Sequence, residues 1–198
     1  MGFDWDAFEG VDSISVWNSS TQSYYDTFFW VTTDDFSIVG SENVWIDVDN
    51  LVTDFAPTVG TSLFISSQSS VASVVLSGEV YSDTLEPIIL KQGFSQISNP
   101  YPVALPLQNI SFTGLTGFDW DAFEGIDSVT IWNPNTQSYY DTFFWVTTDD
   151  FAIVGSENVW IDVNNEITDF KIPVGGSLFI YRSDSEDGSA SFTPPNLD

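Results

Sequence analysis

The sequence predicts an all-β protein built as two similar β-sandwich or barrel-like domains that derive from a tandem repeat. Apolar and polar residues alternate in short runs that turn residues separate, and no run of about ten residues shows a helical period with caps. A long stretch of the chain also occurs twice. Many short strands with turns about every 8 to 12 residues are typical of sandwiches and barrels.

The repeat sets the domain organisation. Residues 2–67 recur as residues 117–182, 115 positions later, and 50 of the 66 aligned positions are identical. Self-similarity of this kind is typical of tandem arrays, which more often bind or build than catalyse. We therefore predict a first repeat copy at residues 1–82, a single-copy connecting or edge-strand segment at 83–116, and a second copy at 117–198.

Strands are predicted in order along the first copy. The alternating run at residues 11–17 and the aromatic run at 24–32 form a hairpin around a turn at 18–22. Further strands are predicted at residues 36–39, 44–48, 51–55 and 63–66, with turns at 40–42 and 49–50. The same hairpins are expected again between residues 126 and 180.

The region between the copies predicts additional strands at residues 71–81, 87–90 and 94–97. Its alternation and its prolines suit an edge strand. Since one copy has a piece that the other lacks, one unit would be completed within the chain and the other by a strand from a neighbouring molecule. The alternative is that the repeat is simply cut at this point.

Composition indicates a folded chain with an unusual charge. Hydrophobic residues make up 42% and aromatic residues 16%, which is enough for a sizeable core. The 29 acidic residues against three basic ones give a net charge of −26, so nucleic acid is not an expected partner. No stretch reaches the roughly 18 apolar residues of a membrane span, so none is predicted.

The chain contains no cysteine and no histidine. This excludes Ser-His-Asp and Cys-His nucleophile systems and zinc sites made of Cys and His. We therefore predict that the protein is not an enzyme. Bound divalent cations, a high-salt environment or a cationic partner would relieve the repulsion between carboxylates. Calcium is the first hypothesis, and adaptation to salt remains open.

Acidic turns carry the candidate calcium ligands, because calcium takes six to eight oxygen ligands. The spacing does not match an EF-hand, since the glycine is displaced and no Glu stands at the twelfth position. The alternative is that these are wet turns whose Asp side chains bond nearby backbone N–H groups. The candidates are Asp4, Asp6, Glu9, Asp12, Asp47, Asp49, Asp54, Asp119, Asp121, Glu124, Asp127, Asp162, Asn164, Glu166 and Asp169.

Recurring tryptophans suggest a second kind of site, because exposed Trp on a β-sandwich stacks on sugar rings. The candidates are Trp5 and Trp30 with their copies Trp120 and Trp145. The alternative is that these aromatics form core contacts and cross-strand pairs.

Residues 93–102 read GFSQISNPYP and are followed by an alternating strand and an aspartate turn. This pattern resembles repeated β-modules of secreted and surface proteins of Gram-negative bacteria, which carry a G-[FW]-N-x-I-x-N-P-Y-P phrase. Ser95 stands where that phrase has Asn. The resemblance implies an extracellular or cell-surface location and a structural or adhesive role, with no catalytic residues to transfer.

Together these observations predict an extracellular structural protein that self-assembles into a fibre or surface layer. Copies of the chain would join by strand donation, with Ca²⁺ bound at the acidic turns. The alternative function is a carbohydrate-binding or adhesive β-module with glycans as partners.

Overall fold

The structure is a computed structural model that describes residues 3–4, 9–10, 12–32, 39–67, 85–119, 124–133, 135–147 and 154–195. Apart from one 3₁₀ turn at Leu107–Asn109, the regular structure in these ranges consists of β-strands, all of whose pairings are antiparallel. The all-β prediction is confirmed. Within the same ranges, no helix has the length and apolarity that a membrane crossing requires.

The chain divides into two compact units. Unit 1 comprises Met1–Asn18 and Ser23–Gly78, and unit 2 comprises Ser19–Gln22 and Glu79–Asp198. The segment predicted as a single-copy connection, residues 83–116, thus belongs to unit 2.

In its described residues, unit 1 has a four-stranded sheet with the order β5-β4-β3-β6 and a short pair of β1 with β2. Its central hairpin pairs the two longest strands, with Ile14 opposite Phe28 and a register shift between Ser15 and Trp17. The alternation of apolar and hydroxyl residues along β3 sends one set of side chains to each face. The strands are β1 (Phe3–Asp4), β2 (Glu9–Gly10), β3 (Ser13–Asn18), β4 (Ser23–Val31), β5 (Val44–Ile46) and β6 (Leu63–Ser66).

Unit 2 has a five-stranded sheet with the order β15-β14-β13-β17-β8 and a three-stranded sheet with the order β10-β18-β7. Two short pairs, β9 with β16 and β11 with β12, are also present. Its strands are β7 (Ile88–Leu90), β8 (Gly93–Ser98), β9 (Leu105–Pro106), β10 (Ile110–Thr113), β11 (Phe118–Asp119), β12 (Glu124–Gly125), β13 (Ser128–Asn133), β14 (Ser138–Val146), β15 (Val159–Ile161), β16 (Lys171–Ile172), β17 (Ser177–Arg182) and β18 (Gly188–Phe192).

The strands of unit 1 have counterparts in unit 2 at the repeat offset. Strands β1 to β5 reappear 115 positions later as β11 to β15 with the same lengths, and β6 corresponds to the longer β17. The registers also agree, since Trp30 faces Trp45 as Trp145 faces Trp160. Near-identical sequence therefore forms the same local sheet in both units.

The main core lies in unit 2 and draws on both of its sheets. Val129, Ile131 and Ile180 come from the five-stranded sheet, and Ala190 and Phe192 come from the three-stranded one; all are 2% exposed or less. These residues form one buried cluster with side chains from the single-copy segment, namely Leu85, Leu90, Ile97, Tyr101, Leu105, Leu107 and Ile110. The segment thus supplies much of the layer that covers the sheet.

Several predicted elements differ from the observed ones. Residues 51–55 contribute only an isolated bridge between Ile46 and Val52, and 161–167 repeats it. Strands β9 and β18 were not predicted, because each is short and is fixed by pairing with distant residues. The predicted strand at residues 71–81 lies outside the described residues, as does most of the one at 36–39.

Candidate functional site

The turns that follow β5 and β15 are the best-defined acidic sites. Asp47 Oδ1 accepts the backbone N–H groups of Asp49 and Leu51, each at 2.9 Å. Asn50 occupies the left-handed region with φ 61°, which an Asn tolerates better than most residues. The carboxylate therefore organises its own turn. Asp49 and Asp54 are exposed.

The copy of this turn in unit 2 has the same geometry. Asp162 Oδ1 accepts the N–H groups of Asn164 at 2.8 Å and Glu166 at 3.0 Å, and Asn165 has φ 63°. The hydrogen bond from the Glu166 N–H is the main reason why the pKa of the Asp162 carboxyl is below its ordinary value. Asn164, Glu166 and Asp169 are exposed.

The other acidic motif, at residues 4–12 and in its copy at 119–127, has members at both buried and exposed positions. Asp127 is completely buried; its Oδ2 accepts the Thr116 N–H at 2.5 Å, and its Oδ1 accepts the Ser183 N–H and Oγ–H at 2.8 Å. It therefore ties the end of β17 to the chain that enters β11. In unit 1, Asp12 Oδ1 accepts the Ser67 hydroxyl at 2.9 Å. Asp119 is exposed.

The remaining acidic candidates are only partly described. Asp4, Glu9 and Glu124 lie in short strands whose side chains are not described, and Asp6 and Asp121 lie outside the described residues. Among the side chains that are described, no three Asp or Glu residues come together as a group able to hold a metal ion. In the described turns, the Asp carboxylates accept backbone hydrogen bonds. Calcium binding at these turns is a proposal.

The tryptophan candidates form cross-strand pairs. Trp30 meets Trp45 edge-on with 5.2 Å between ring centroids, and Trp145 meets Trp160 in the same way at 5.3 Å. Trp160 is completely buried, and Trp30 and Trp145 are partly buried. Trp5 and Trp120 lie outside the described residues. The described indoles thus contribute to sheet packing, since aromatic pairs of this geometry stabilise by about 0.5 to 1.5 kcal/mol.

The clearest difference between the units is at one sheet edge. In unit 2, β8 pairs along the whole of β17, with Leu178 opposite Ile97 and Ile180 opposite Ser95. The corresponding strand of unit 1, β6, pairs with β3 and is the last strand of its sheet among the described residues, which do not include residues 68–84 that follow it. An uncovered edge strand is a template for pairing with another chain.

The sheet face beside that edge is also more exposed in unit 1. Ile65 is 41% exposed, whereas its counterpart Ile180 is fully buried beneath the second sheet. Phe55 is 43% exposed, whereas its counterpart Phe170 packs against the core of unit 2. Full burial of a large apolar side chain contributes about 1.5 to 3 kcal/mol, so this face would gain from a cover. We call β6 and this face, represented by Ile65 and Phe55, the open edge.

Two residues that the sequence analysis did not single out anchor the single-copy segment on the five-stranded sheet of unit 2. Asn99 donates its side-chain amide to the carbonyl oxygens of Val103 at 2.9 Å and of Ile172 and Pro173 at 3.2 Å, and it accepts the Tyr101 N–H. It is thus the residue through which the Asn-Pro-Tyr-Pro phrase is anchored. The phrase itself was the available signal, because Asn-Pro-Tyr-Pro predicts extended or turn geometry at the end of a strand.

Arg182 is the second residue, and it is 1% exposed. Its guanidinium donates to the carbonyl oxygens of Leu90 at 2.8 Å, Gly114 at 2.6 and 2.9 Å, and Glu186 at 2.8 Å. The signal was that a cation stands in the second copy where the first copy has Ser67, in a chain that holds only three basic residues.

No protein-family model, curated protein or solved structure matches this chain.

Proposed function

We propose that this chain is an extracellular structural protein whose β-modules assemble into a fibre or surface layer by sharing strands. One observation carries the proposal. Among the described residues, the corresponding sheet has five strands in unit 2 and four in unit 1, and the fifth strand of unit 2, β8, belongs to the single-copy segment.

The open edge supports association with another chain. Natural sheets protect their edges by short strands, charge, proline or a covering element. The four residues of β6 read Leu-Phe-Ile-Ser and carry no charge, and one of them, Ile65, is exposed. The chain carries a net charge of −26. Association at an uncharged apolar edge would cover apolar surface and bury few of the charged side chains.

The extracellular location rests on the sequence. The GFSQISNPYP phrase resembles repeated modules of secreted and surface proteins of Gram-negative bacteria. Two residues of the phrase contribute to the structure of unit 2. Asn99 donates to three carbonyl groups, and Tyr101 is 2% exposed and lies beside Phe192. The phrase therefore serves the packing of a module, as expected of a structural repeat.

Calcium at the acidic turns is the second part of the proposal. A net charge of −26 on 198 residues makes every association of two copies electrostatically costly. Exposed carboxylates such as Asp49, Asp54 and Glu166 lie in or beside turns whose backbone N–H groups bond to an Asp side chain. Divalent cations between such groups on neighbouring copies would lower that cost.

Light scattering across a concentration series tests the proposal. The purified chain is measured with a chelator, with millimolar calcium, and with sodium chloride at matched ionic strength. We expect the mass to rise above the 22.0 kDa of one chain as concentration increases, and to rise further in calcium. A monomer at all concentrations and in all three buffers would show that the chain does not self-assemble.

A further inference from the structure

We propose that the outer face of the five-stranded sheet of unit 2 binds a neutral oligosaccharide through exposed aromatic rings and the side-chain amide of Gln96. The outer face is the face opposite the main core, and it is represented by Phe94 and Gln96 of β8, Phe179 and Tyr181 of β17, and Tyr139 of β14. Ligand binding there goes beyond the proposed function, since it does not depend on self-assembly.

Strand alternation and register bring these side chains to one face. Ile180 of β17 belongs to the buried cluster of unit 2, so its neighbours Phe179 and Tyr181 point to the opposite face. The register of β8 on β17 places Gln96 opposite Phe179 and Phe94 opposite Tyr181. Because directly opposite residues of an antiparallel pair lie on the same face, these four side chains lie together.

Three aromatic rings of this face are exposed. Tyr139 is 48% exposed, Phe94 is 44% exposed and Tyr181 is 37% exposed. The rings of Phe94 and Tyr181 contact each other with 5.1 Å between centroids, and Tyr139 meets Phe179 edge-on at 5.7 Å. Ring contacts therefore hold the aromatic side chains in place while part of their surface remains accessible to a ligand.

Gln96 is the polar group that points to a ligand on this face. It is only 9% exposed, and its Oε1 has no hydrogen-bond donor among the residues that the structure describes. Its Nε2 has one long hydrogen bond, a donation to Ser177 Oγ at 3.4 Å. A buried acceptor without a donor is costly, so a hydroxyl group donated by a ligand would remove that cost. An amide held by one long bond can turn to meet such a hydroxyl.

The chemistry of the outer face fits a sugar. A sugar has C–H groups on the faces of its ring, which stack on aromatic rings, and hydroxyl groups around the rim, which bond to amides and hydroxyls. Burial raises the pKa of the Tyr139 phenol above its ordinary 10.0, so its hydroxyl is an uncharged donor at neutral pH. None of the outer-face side chains of β8 and β17 is charged: Phe94, Gln96, Ser98, Ser177, Phe179 and Tyr181.

The net charge of the chain selects among glycans. At −26 the chain repels polyanions, so an acidic polysaccharide is disfavoured and a neutral one is not. The width of the site indicates more than one sugar unit. Tyr139 and Gln96 lie on strands three positions apart in the sheet order, which corresponds to about 14 Å at about 4.8 Å per strand. A short oligosaccharide spans this distance, whereas a single sugar ring does not.

Unit 1 provides a natural comparison. Tyr24 is 40% exposed and contacts Phe64 with 6.0 Å between ring centroids, as Tyr139 contacts Phe179. Gln96, however, belongs to the single-copy segment, so the repeat gives it no counterpart in unit 1. Tyr24 thus has the same aromatic setting without this amide, and it is the matched control for Tyr139.

The test titrates neutral hexasaccharides into the isotope-labelled chain and follows its NMR spectrum. The probes are cellohexaose, maltohexaose, xylohexaose and N-acetylchitohexaose, and hexagalacturonate is the anionic control. We expect at least one neutral probe to shift the amide signals of β8 and β17 and the side-chain amide of Gln96, with Kd below about 1 mM. Failure of all four neutral probes, or an equal response to hexagalacturonate, would overturn the proposal.

Variants locate the site. Tyr139→Ala should weaken binding about two- to tenfold, as expected for the loss of one ring contact, whereas Tyr24→Ala should leave it unchanged. Tyr139→Trp enlarges the ring on the exposed side and should tighten binding about twofold. Equal losses in Tyr139→Ala and Tyr24→Ala would place the site elsewhere and contradict the proposal.

Gln96→Leu separates binding from folding. The change removes a buried oxygen that has no donor, so the Tm should stay the same or rise. Binding of the hexasaccharide should weaken about tenfold at the same time, because the ligand loses its hydrogen-bonding partner. A variant with a lower Tm and unchanged affinity would show that Gln96 serves only the fold.

A second copy of the chain is the other occupant that the experiments distinguish. If no hexasaccharide binds and Tyr139→Ala lowers the mass found by light scattering, the outer face is a contact between copies. The glycan inference then fails and the proposed function stands. If a hexasaccharide binds to a chain that stays monomeric, the inference stands and self-assembly fails.

Discussion

Arg182 ties together the two sheets of unit 2. It is the last residue of β17 in the five-stranded sheet, and its guanidinium reaches the oxygen of Leu90 in β7 and the oxygen of Gly114, just after β10. It also bonds the oxygen of Glu186, just before β18. All these partners are neutral carbonyls, so its cationic charge is held by oriented dipoles in a strongly acidic chain.

Replacing Arg182 with Met should therefore destabilise unit 2 by about 3 kcal/mol. The change leaves buried carbonyl oxygens without a donor, which costs about 1 to 3 kcal/mol for each group that finds no water. Urea unfolding followed by hydrogen exchange at β7 and β18 measures the loss.

Lys91→Met is the matched control, because it removes the same charge from a pair with Asp187 that is 2.5 Å long but about half exposed on both sides. Exposed pairs contribute about 0 to 1 kcal/mol. Similar losses of stability in the two variants would show that the loss comes from removing a positive charge and not from the buried position of Arg182.

The roles of individual residues were predictable only where the bond is local. Asp47 and Asp162 bond N–H groups two and four residues ahead, which is the local bonding that Asp favours in turns. Asp127 has the same residue type in a similar motif, yet its Ser183 partner is 56 residues away. No spacing in the sequence reports such a contact, so its burial could not be predicted.

Turns are the elements in which the two copies can be compared most directly. The turn after β15 keeps its Asp and its left-handed Asn although Asp49 has become Asn164 and Leu51 has become Glu166. The positions that changed are those that contribute backbone N–H groups, and the position that accepts them, Asp162, did not change. The turn is thus specified by its acceptor.

Protonation of Asp162 should loosen this turn at low pH. A carboxyl whose pKa is lowered in the folded state contributes stability above its ordinary value of 3.8, and that contribution disappears as pH falls through the lowered value. NMR amide shifts of Asn164 and Glu166, followed from about pH 6 to about pH 2, should show a midpoint below 3.8.

The variant Asp162→Asn is the control for this titration. Its side chain keeps an oxygen acceptor but does not ionise, so the two amide signals should lose the transition. A midpoint at or above 3.8 in the native chain would contradict the assigned cause.

Strand prediction succeeded for the hairpins and for β7 and β8 of the single-copy segment, and it missed β9. Strands β3 and β4 lie within two residues of the predicted runs, because alternation and an adjacent turn act locally. By contrast, β9 is a two-residue strand that contains Pro106 and exists through pairing with Lys171 and Ile172. Such an element depends on residues far along the chain, so local patterns do not reveal it.

The unequal distribution of the single-copy segment governs the molecule as a whole. Both sheets have nearly the same sequence, but unit 2 has a buried cluster of 16 residues, whereas the described core of unit 1 includes a cluster of only Val31 and Ile46. Residues 85–113 contribute seven of those 16 residues. The sequence could predict that one copy lacked a piece, and the structure adds which edge and which face that piece occupies.

Net charge is the other property of the whole chain, and it leads to the final prediction. At −26, repulsion between carboxylates opposes folding and assembly, and salt of any kind screens it. Calcium bound at specific turns would also stabilise the folded state by its binding free energy, about 2.7 kcal/mol when free calcium is 100 times Kd, and screening does not supply this. For a unit of roughly 100 residues this corresponds to a Tm increase of about 10 °C. We therefore expect CaCl₂ to raise the Tm by about that amount more than NaCl or MgCl₂ at equal ionic strength, measured by scanning calorimetry.

Identical melting curves in calcium and in chelator would reject bound calcium, and equal increases in all three salts would assign the acidic surface to screening, which is the behaviour of a protein adapted to salt.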